Sequence, residues 1–315
     1  MQKITLLEAS KLLLQNDNFH ILTHRYPDGD TLGCAFALCY ALRSKGKKAN
    51  VIVNGNLPSK FSYLAESYDV QDFDCEYVVS VDVAAPSLLG DLQDEYADKI
   101  DLCLDHHGSN TMVAKNLFVD ASCAAACEII HVLIKAMGVK ITRDIANALY
   151  TGISTDTGCF CYTNTTAQTH RIAAELIECD CEFNKINRIN FETKSRAKLK
   201  MERMVYDTME FYCGGKCAII YTTIAMQNAL GAGDDEMEGL ASIPRQIEGV
   251  KMGITMREKE DGTYKVSVRT NDGINACEFC QRFGGGGHVA ASGCSIRGDL
   301  QTVKYLLIKA AEEVL

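Results

Sequence analysis

Apolar runs that stop at charged residues, with helical patterns between them, constrain this chain more than any other feature. FHILTH (19–24), ANVIVNG (49–55), EYVVSVDV (76–83) and IDLCLDHH (100–107) each read as a strand of nearly continuous apolar character. After the first run comes TLGCAFALCYALRSKG (31–46), whose apolar residues recur at three- and four-residue intervals, as on a helix. Strand, helix, strand in that order implies crossovers, and crossovers build a parallel sheet with helices on both faces. The expected fold class is therefore α/β. Further helical patterns at about 122–138, 143–155 and 167–178 fill out an N-terminal domain placed at residues 1–185.

The next stretch, 184–212, is rich in Lys, Arg, Glu and Met and reads as a connecting helix, so a helical linker is placed at 186–212. After it, KCAIIYTTI (216–224) reads as a strand and VKMGITMREKEDGTYKVSVRT (250–270) as a hairpin turning at Asp261-Gly262. A helix over 275–283 leads into GGGGHVAASGCSI, and an amphipathic helix spans 299–314. Residues 213–315 are thus expected to form a smaller α/β domain.

Composition narrows the function classes. At 315 residues the chain is long enough for two domains, and 47% hydrophobic with 4 Pro describes a folded chain. No apolar run approaches the ~20 residues a membrane-spanning helix requires. MQKITLLEASKLLLQNDNF reads as an amphipathic helix and not as a signal peptide, so a cytoplasmic protein with no membrane partner is expected. The 15 Cys are scattered through strand and helix patterns and read as buried thiols; Cys159-Phe-Cys161 and Cys179-Asp-Cys181 are spaced too closely for a zinc loop. A net charge of −9 argues against wrapping long nucleic acid but leaves a small phosphate-bearing substrate open.

The strand ends carry the chemistry. HRYPDGDT (24–31) places His24, Asp28 and Asp30 on a Pro-Gly turn, where the structural alternative is Asp30 capping a helix at Thr31. Asp82 interrupts VVSVDVAA, and a carboxylate there must be paired, hydrogen-bonded or metal-bound unless it caps the segment near Pro86. Asp105, His106 and His107 end the next strand. At the carboxyl edge of a parallel sheet such residues converge on one crevice. Carboxylates crowded there repel one another unless cations are present, so the pattern calls for metal. Asp156, in LYTGISTDTGCFCYTNTT (149–166), reads as a turn residue after a helix that joins the series. Oxygen and imidazole donors without thiolate suit manganese, with magnesium, cobalt or iron as alternatives.

In the second domain, FGGGGHVAASG (283–293) puts His288 after four glycines. Glycines allow close approach of an anion, and a helix starting near His288 would add a positive terminus; a tight turn is the alternative. Arg269 ends the hairpin strand. His20, His131 and His170 read as structural or surface residues, Cys159 and Cys161 have no partner base, and no Ser or Thr sits on a nucleophile elbow.

HRYPDGD, VDVAA, LDHHG and GISTDTG, followed by VRTNDGINACEFCQRFGGGGHVAASG, resemble the DHH phosphoesterases, named for the triplet that is Asp105-His106-His107 here. The likeness covers most of the chain. The Gly-Gly-Gly-His pattern looks like the DHH-associated domain of the RecJ-like branch, and the two-domain length resembles the bacterial nanoRNase and pAp phosphatase type. The resemblance implies two Mn²⁺ ions, with Mg²⁺ or Co²⁺ as substitutes. His24 and Asp28 would hold one, Asp30, His106 and Asp156 the other, and Asp82 would bridge them. His107 would contact the scissile phosphate, with Asp105 orienting the histidines. Gly285, Gly286, Gly287 and His288 look like the site for a substrate's phosphate or terminal nucleotide, and Arg269 stands where the family carries a substrate-binding arginine. Thr270 follows it where the family usually has Ser, a departure that keeps a hydroxyl at that position.

The activity so implied is hydrolysis of short RNA or DNA oligonucleotides, releasing mononucleotides in either the 3′-5′ or the 5′-3′ direction, or conversion of pAp to AMP. A linear or cyclic dinucleotide phosphodiesterase is the alternative within hydrolases, and a catalytically silent nucleotide-binding regulator the alternative outside them. Whether the chain acts as a homodimer stays open.

Overall fold

The computed structural model describes residues 1–231, 237, 239–271 and 273–315. Two compact units divide the chain, Met1–Thr193 and Lys194–Leu315.

The first unit runs β1 (Gln2–Lys3), α1 (Leu6–Gln15), β2 (Phe19–Leu22), α2 (Gly29–Ser44), β3 (Ala49–Ile52), β4 (Tyr77–Val81), α3 (Gln93–Tyr96), β5 (Leu102–Asp105) and β6 (Asn116–Val119), followed by α4 (Ala126–Ala136), α5 (Arg143–Asp156), α6 (Ala167–Glu178) and α7 (Phe183–Asn187). The six strands lie in the order β1-β6-β5-β4-β2-β3, and every neighbouring pair is parallel. Strand alternation sorts the core. Phe19, Ile21, Val79, Val81, Leu102 and Leu104 share one core with α2, α4 and α5, whereas Leu22, Val78 and Cys103 join Leu89 and Tyr96 in another. Long helices therefore cover one face, and the 3-10 segment Pro86–Leu92 with α3 covers the other. The chain moves outward from β2 to β3 and then returns to β4 on the opposite side of β2. That reversal opens a crevice at the carboxyl ends of β2 and β4, where open parallel sheets place their ligands.

Two glycines set how deep the crevice is. A Cβ on Gly33 of α2 would run into the Ala148 carbonyl, and one on Gly152 of α5 would meet the Cys127 thiol and stand 2.6 Å from Asp30 Oδ1. Without side chains there, α2 and α5 approach closely enough to bring the end of α5 to the same edge as β2 and β4.

The stretch expected to form one linker helix is divided. A π-helical turn at Arg188–Glu192 ends in extended backbone at Thr193, and Ser195 caps α8 (Arg196–Tyr206) by accepting the Lys198 N–H at 2.9 Å. Glu210–Tyr212 then forms β7. The second unit continues with β8 (Cys217–Thr222), α9 (Ile224–Leu230), β9 (Met252–Glu258), β10 (Thr263–Thr270), the helix Ala276–Gln281, β11 (Gly286–His288), β12 (Ala291–Arg297) and the helix Leu300–Glu312. Its sheet has the order β11-β12-β10-β9-β8-β7, with β8 and β9 parallel and the other pairs antiparallel. The expected hairpin is β9–β10, whose turn places Gly262 at φ +74°. All 15 cysteines are free thiols, and among the described residues no helix is long and apolar enough to cross a membrane.

Candidate functional site

The crevice is built from β2 outward. Asp28, and not Asp30, caps α2, accepting the N–H groups of Asp30 at 3.0 Å and Thr31 at 3.2 Å. Asp30 falls in the first turn of that helix, 1% exposed, and its carboxylate turns towards α4. The first turn of α4 has no side-chain cap of its own, because Ala125 stands at the cap position. Asp30 supplies the missing acceptors: Oδ2 takes the Ala126 N–H at 2.6 Å and Oδ1 the Cys127 N–H at 2.9 Å. A helix N-terminus thus fixes this carboxylate in place.

Asp82 follows β4 with φ +56°, a left-handed conformation that Asp adopts more readily than most residues. It is 4% exposed, and its Oδ1 has no hydrogen-bond partner among the described residues. Beyond β5, the His106 ring is oriented by Nδ1, which lies 3.2 Å from the Cys123 carbonyl and must donate to it. Nε2 then faces Asp82 Oδ1 and Asp156 Oδ2, both at 3.5 Å, and Asp30 Oδ2 at 3.8 Å. His24 Nε2 stands 3.5 Å from Asp28 Oδ1 and 3.9 Å from Asp82 Oδ2. His107 packs edge-on to His106, with Nδ1 2.8 Å from Asp105 Oδ1 and 3.5 Å from Asp82 Oδ1. Asp156, expected in a turn, is the last residue of α5.

These side chains fall into overlapping groups of mutually close donors: His24, Asp28 and Asp82; Asp30, His106 and Asp156; and Asp82, His106 and His107, with ligand atoms inside 4.8 Å of one another in each. Asp82 belongs to two of them. Behind Asp30, the Cys34 and Cys127 thiols lie 3.5 Å apart, and burial raises the pKa of both, so they stay protonated and pack as small apolar groups.

Electrostatics divides the carboxylates into two kinds. Burial, and then the neighbouring charges of Asp30 and Asp28, push Asp156 well above the usual carboxylate range; Asp82 is raised by burial and by Asp30, Asp28, Asp156 and Asp105. Burial also pushes Asp105 upward, but hydrogen bonds from His107 and Asn110 outweigh it and hold that carboxyl low. His107 is raised, chiefly by its hydrogen bond to Asp105 and against the effect of burial. A buried carboxylate oxygen without a donor, among further carboxylates and imidazole nitrogens, is an arrangement that divalent cations satisfy. The oxygen and nitrogen donors fit a hard or borderline ion.

In the second unit, Arg269 pairs with Gly253 on β9 and Ala291 on β12. Thr270 is buried and donates to the Ile274 carbonyl at 2.7 Å, so its hydroxyl proton is used inside the unit. The expected helix near His288 is absent. Gly286–His288 forms β11 against β12, and a Cβ on Gly285 would strike the Gly293 carbonyl and stand 2.5 Å from Cys294 Cβ. The glycines allow close strand pairing here, so no helix terminus contributes positive charge. The side chain of His288 lies outside the described residues.

Sequence reasoning missed Asn110, whose amide donates to Asp105 Oδ2 and, at 3.3 Å, to the Val83 carbonyl. It also missed the main-chain groups of Cys123, Ala126 and Cys127 that hold His106 and Asp30. For Asn110 the available signal was its place in the loop after the DHH triplet.

Residues 18–153 match the DHH family, N-terminal domain, and residues 218–315 match the DHHA1 domain. The bifunctional oligoribonuclease and PAP phosphatase NrnA of Thermus thermophilus is 32% identical over 314 residues, spanning 98% of this chain and 94% of that protein. The protein of the same name from Bacillus subtilis is 26% identical over 284 residues, spanning 88% and 89%. An exopolyphosphatase-related protein from Bacteroides fragilis shares the fold with a TM-score of 0.89 at 24% identity, over 98% of this chain and 96% of its own. RecJ from Thermus thermophilus, solved in complex with Mn²⁺, shares it with a TM-score of 0.56 at 16% identity, over 98% of this chain and 55% of its own. The strand-end carboxylates, the paired histidines and these matches place the chain in one family: it is a DHH family protein, with an N-terminal DHH domain followed by a DHHA1 domain.

Proposed function

We propose that the chain is a phosphoesterase dependent on divalent cations, releasing mononucleotides from oligonucleotides a few residues long and removing the 3′-phosphate of pAp to leave AMP. The observation that carries this reading is the cluster of Asp28, Asp30, Asp82, Asp156, His24 and His106 at one sheet edge, with a buried Asp82 oxygen that has no hydrogen-bond donor among the described residues. The NrnA relatives support the substrate class.

His24 and Asp28 would hold one Mn²⁺ and Asp30, His106 and Asp156 a second, with Asp82 shared. Bound there, such ions polarise a phosphoryl group and lower the pKa of water towards neutrality. The chain's own side chains do the rest. Asp30 and His106, tied to main-chain atoms, keep their ligand atoms aimed at the crevice. Asp105 accepts from His107 Nδ1 and raises that imidazole's pKa, and in the protonated ring Nε2 is also a donor, able to serve a phosphoryl oxygen. In the DHHA1 domain, Arg269, the Gly285–Gly287 run and His288 would bind a phosphate or terminal nucleotide, and the net charge of −9 favours short oligonucleotides over long ones. Free thiols throughout suit a reducing cytoplasm. A silent nucleotide-binding regulator would have no use for so complete a set of cation-directed side chains.

The test is a substrate panel in Mn²⁺, spanning pAp and oligomers of two to about ten nucleotides. Release of nucleoside monophosphate from the shortest substrates, abolished in Asp82→Ala with the fold intact, is the expected result. Binding without turnover across the panel would sink the proposal.

A further inference from the structure

The segment between β2 and α2 carries a side chain that the cation cluster does not use. Tyr26 stands two residues from His24 and two from Asp28, and it is 69% exposed. A large aromatic ring left in water forgoes the burial that would otherwise place it in the core. The segment is nonetheless anchored. The Arg25 N–H donates to the Leu88 carbonyl at 2.6 Å, Asp28 is fixed by its cap, and Pro27 restricts Tyr26 to extended backbone. The Arg25 guanidinium carbon lies 4.8 Å from the centroid of the Tyr26 ring and covers one of its faces. The ring is therefore held in orientation by a cation on one side, with the rest of it in water.

Two residues of chain span at most ~7 Å between Cα atoms, so Tyr26 is rooted beside both His24 and Asp28. Given a phosphate at the carboxylate–imidazole cluster, as the proposed function requires, an adjoining base comes within reach of this ring. We infer that Tyr26, backed by Arg25, is the stacking platform for the nucleobase next to the scissile phosphate, and that it makes the site prefer nucleotides over baseless phosphoesters. Stacking uses the face that every base possesses, so the preference extends to all bases. Arg25 adds positive charge where a phosphate would otherwise meet mainly carboxylates.

The experiment reads binding and needs no turnover. Full-length protein in Mn²⁺ is titrated calorimetrically with AMP and with ribose 5-phosphate, which lacks the base. The wild type binds AMP more tightly, Tyr26→Ala narrows that preference by about five- to a hundredfold, and Tyr26→Phe keeps it. Affinity for ribose 5-phosphate stays the same in all three, which shows that the site is intact. An unchanged preference in Tyr26→Ala, or equal weakening of both ligands, overturns the inference. If the substrate panel shows no hydrolysis while the base preference still depends on Tyr26, the phosphoesterase reading falls and the stacking platform stands.

Discussion

Asp105, wholly shielded from solvent, accepts a hydrogen bond from His107, Nδ1 to Oδ1 at 2.8 Å, while its other oxygen is held by the Asn110 amide. A buried carboxylate survives in ionised form only with donors of this kind. Asn110→Ala removes one of them. The expected cost is about 1–3 kcal/mol in urea unfolding, from an acceptor left unsatisfied. The kcat should fall by about 10–100-fold with little change in KM, because His107 loses its fixed orientation. A variant with wild-type melting and wild-type kcat would remove Asn110 from the site.

Asp82 and Asp156 make the cation-free protein sensitive to pH in a defined direction. Both bind protons more tightly folded than unfolded, so their contribution is fully present below the ordinary value of 3.8 and is lost as pH rises through the raised value. Thermal melts in chelator should therefore show Tm falling between acidic and neutral pH, with a shallower fall in Asp82→Asn. Added Mn²⁺ should restore stability most at the higher pH, by about 2.7 kcal/mol when present at a hundredfold excess over its Kd. A Mn²⁺ effect of equal size across the range would contradict this account.

The same Asp to Asn change should have opposite effects at two positions. Both oxygens of Asp30 accept main-chain N–H groups of α4, so an amide there turns an NH₂ towards a donor and costs about 1–3 kcal/mol. Asp82 Oδ1 has no donor to lose, and Asp82→Asn removes a source of repulsion, so the cation-free protein gains stability. Urea unfolding of both variants in chelator gives the two signs directly, while Mn²⁺-dependent hydrolysis is lost in each.

Gly152→Ala would ordinarily favour a helix by about 1 kcal/mol. Here the added methyl meets the Cys127 thiol and stands 2.6 Å from Asp30 Oδ1. Net destabilisation of about 1–3 kcal/mol is expected, with weaker Mn²⁺ binding by calorimetry because α5 carries Asp156 away from His106. A variant more stable than wild type would show that α2 and α5 are not in close contact.

The strand ends were legible because a buried parallel strand is apolar throughout, so Asp82 and Asp105 stand out against it. Which Asp caps α2 was not: Asp28 and Asp30 flank one glycine, and either suits a cap by type. Asn110 was passed over because its role depends on two hydrogen bonds that no periodicity marks. The glycine run misled for a different reason. Its conformation is decided by pairing with β12, a partner that local sequence does not name. Likewise Ser195 restarts a helix inside a stretch whose composition suggested continuity.

The donors that hold Asp30 come from the main chain of Ala126 and Cys127, and this makes the anchor insensitive to residue type. Any amino acid except proline supplies the same N–H, so an alanine scan through this turn would pass over it without a signal. Inserting or deleting one residue before Ala126 is another matter, since it rotates the helix by about 100° and swings both donors off the carboxylate. The anchor itself therefore depends on the length of the turn and not on which side chains the turn carries.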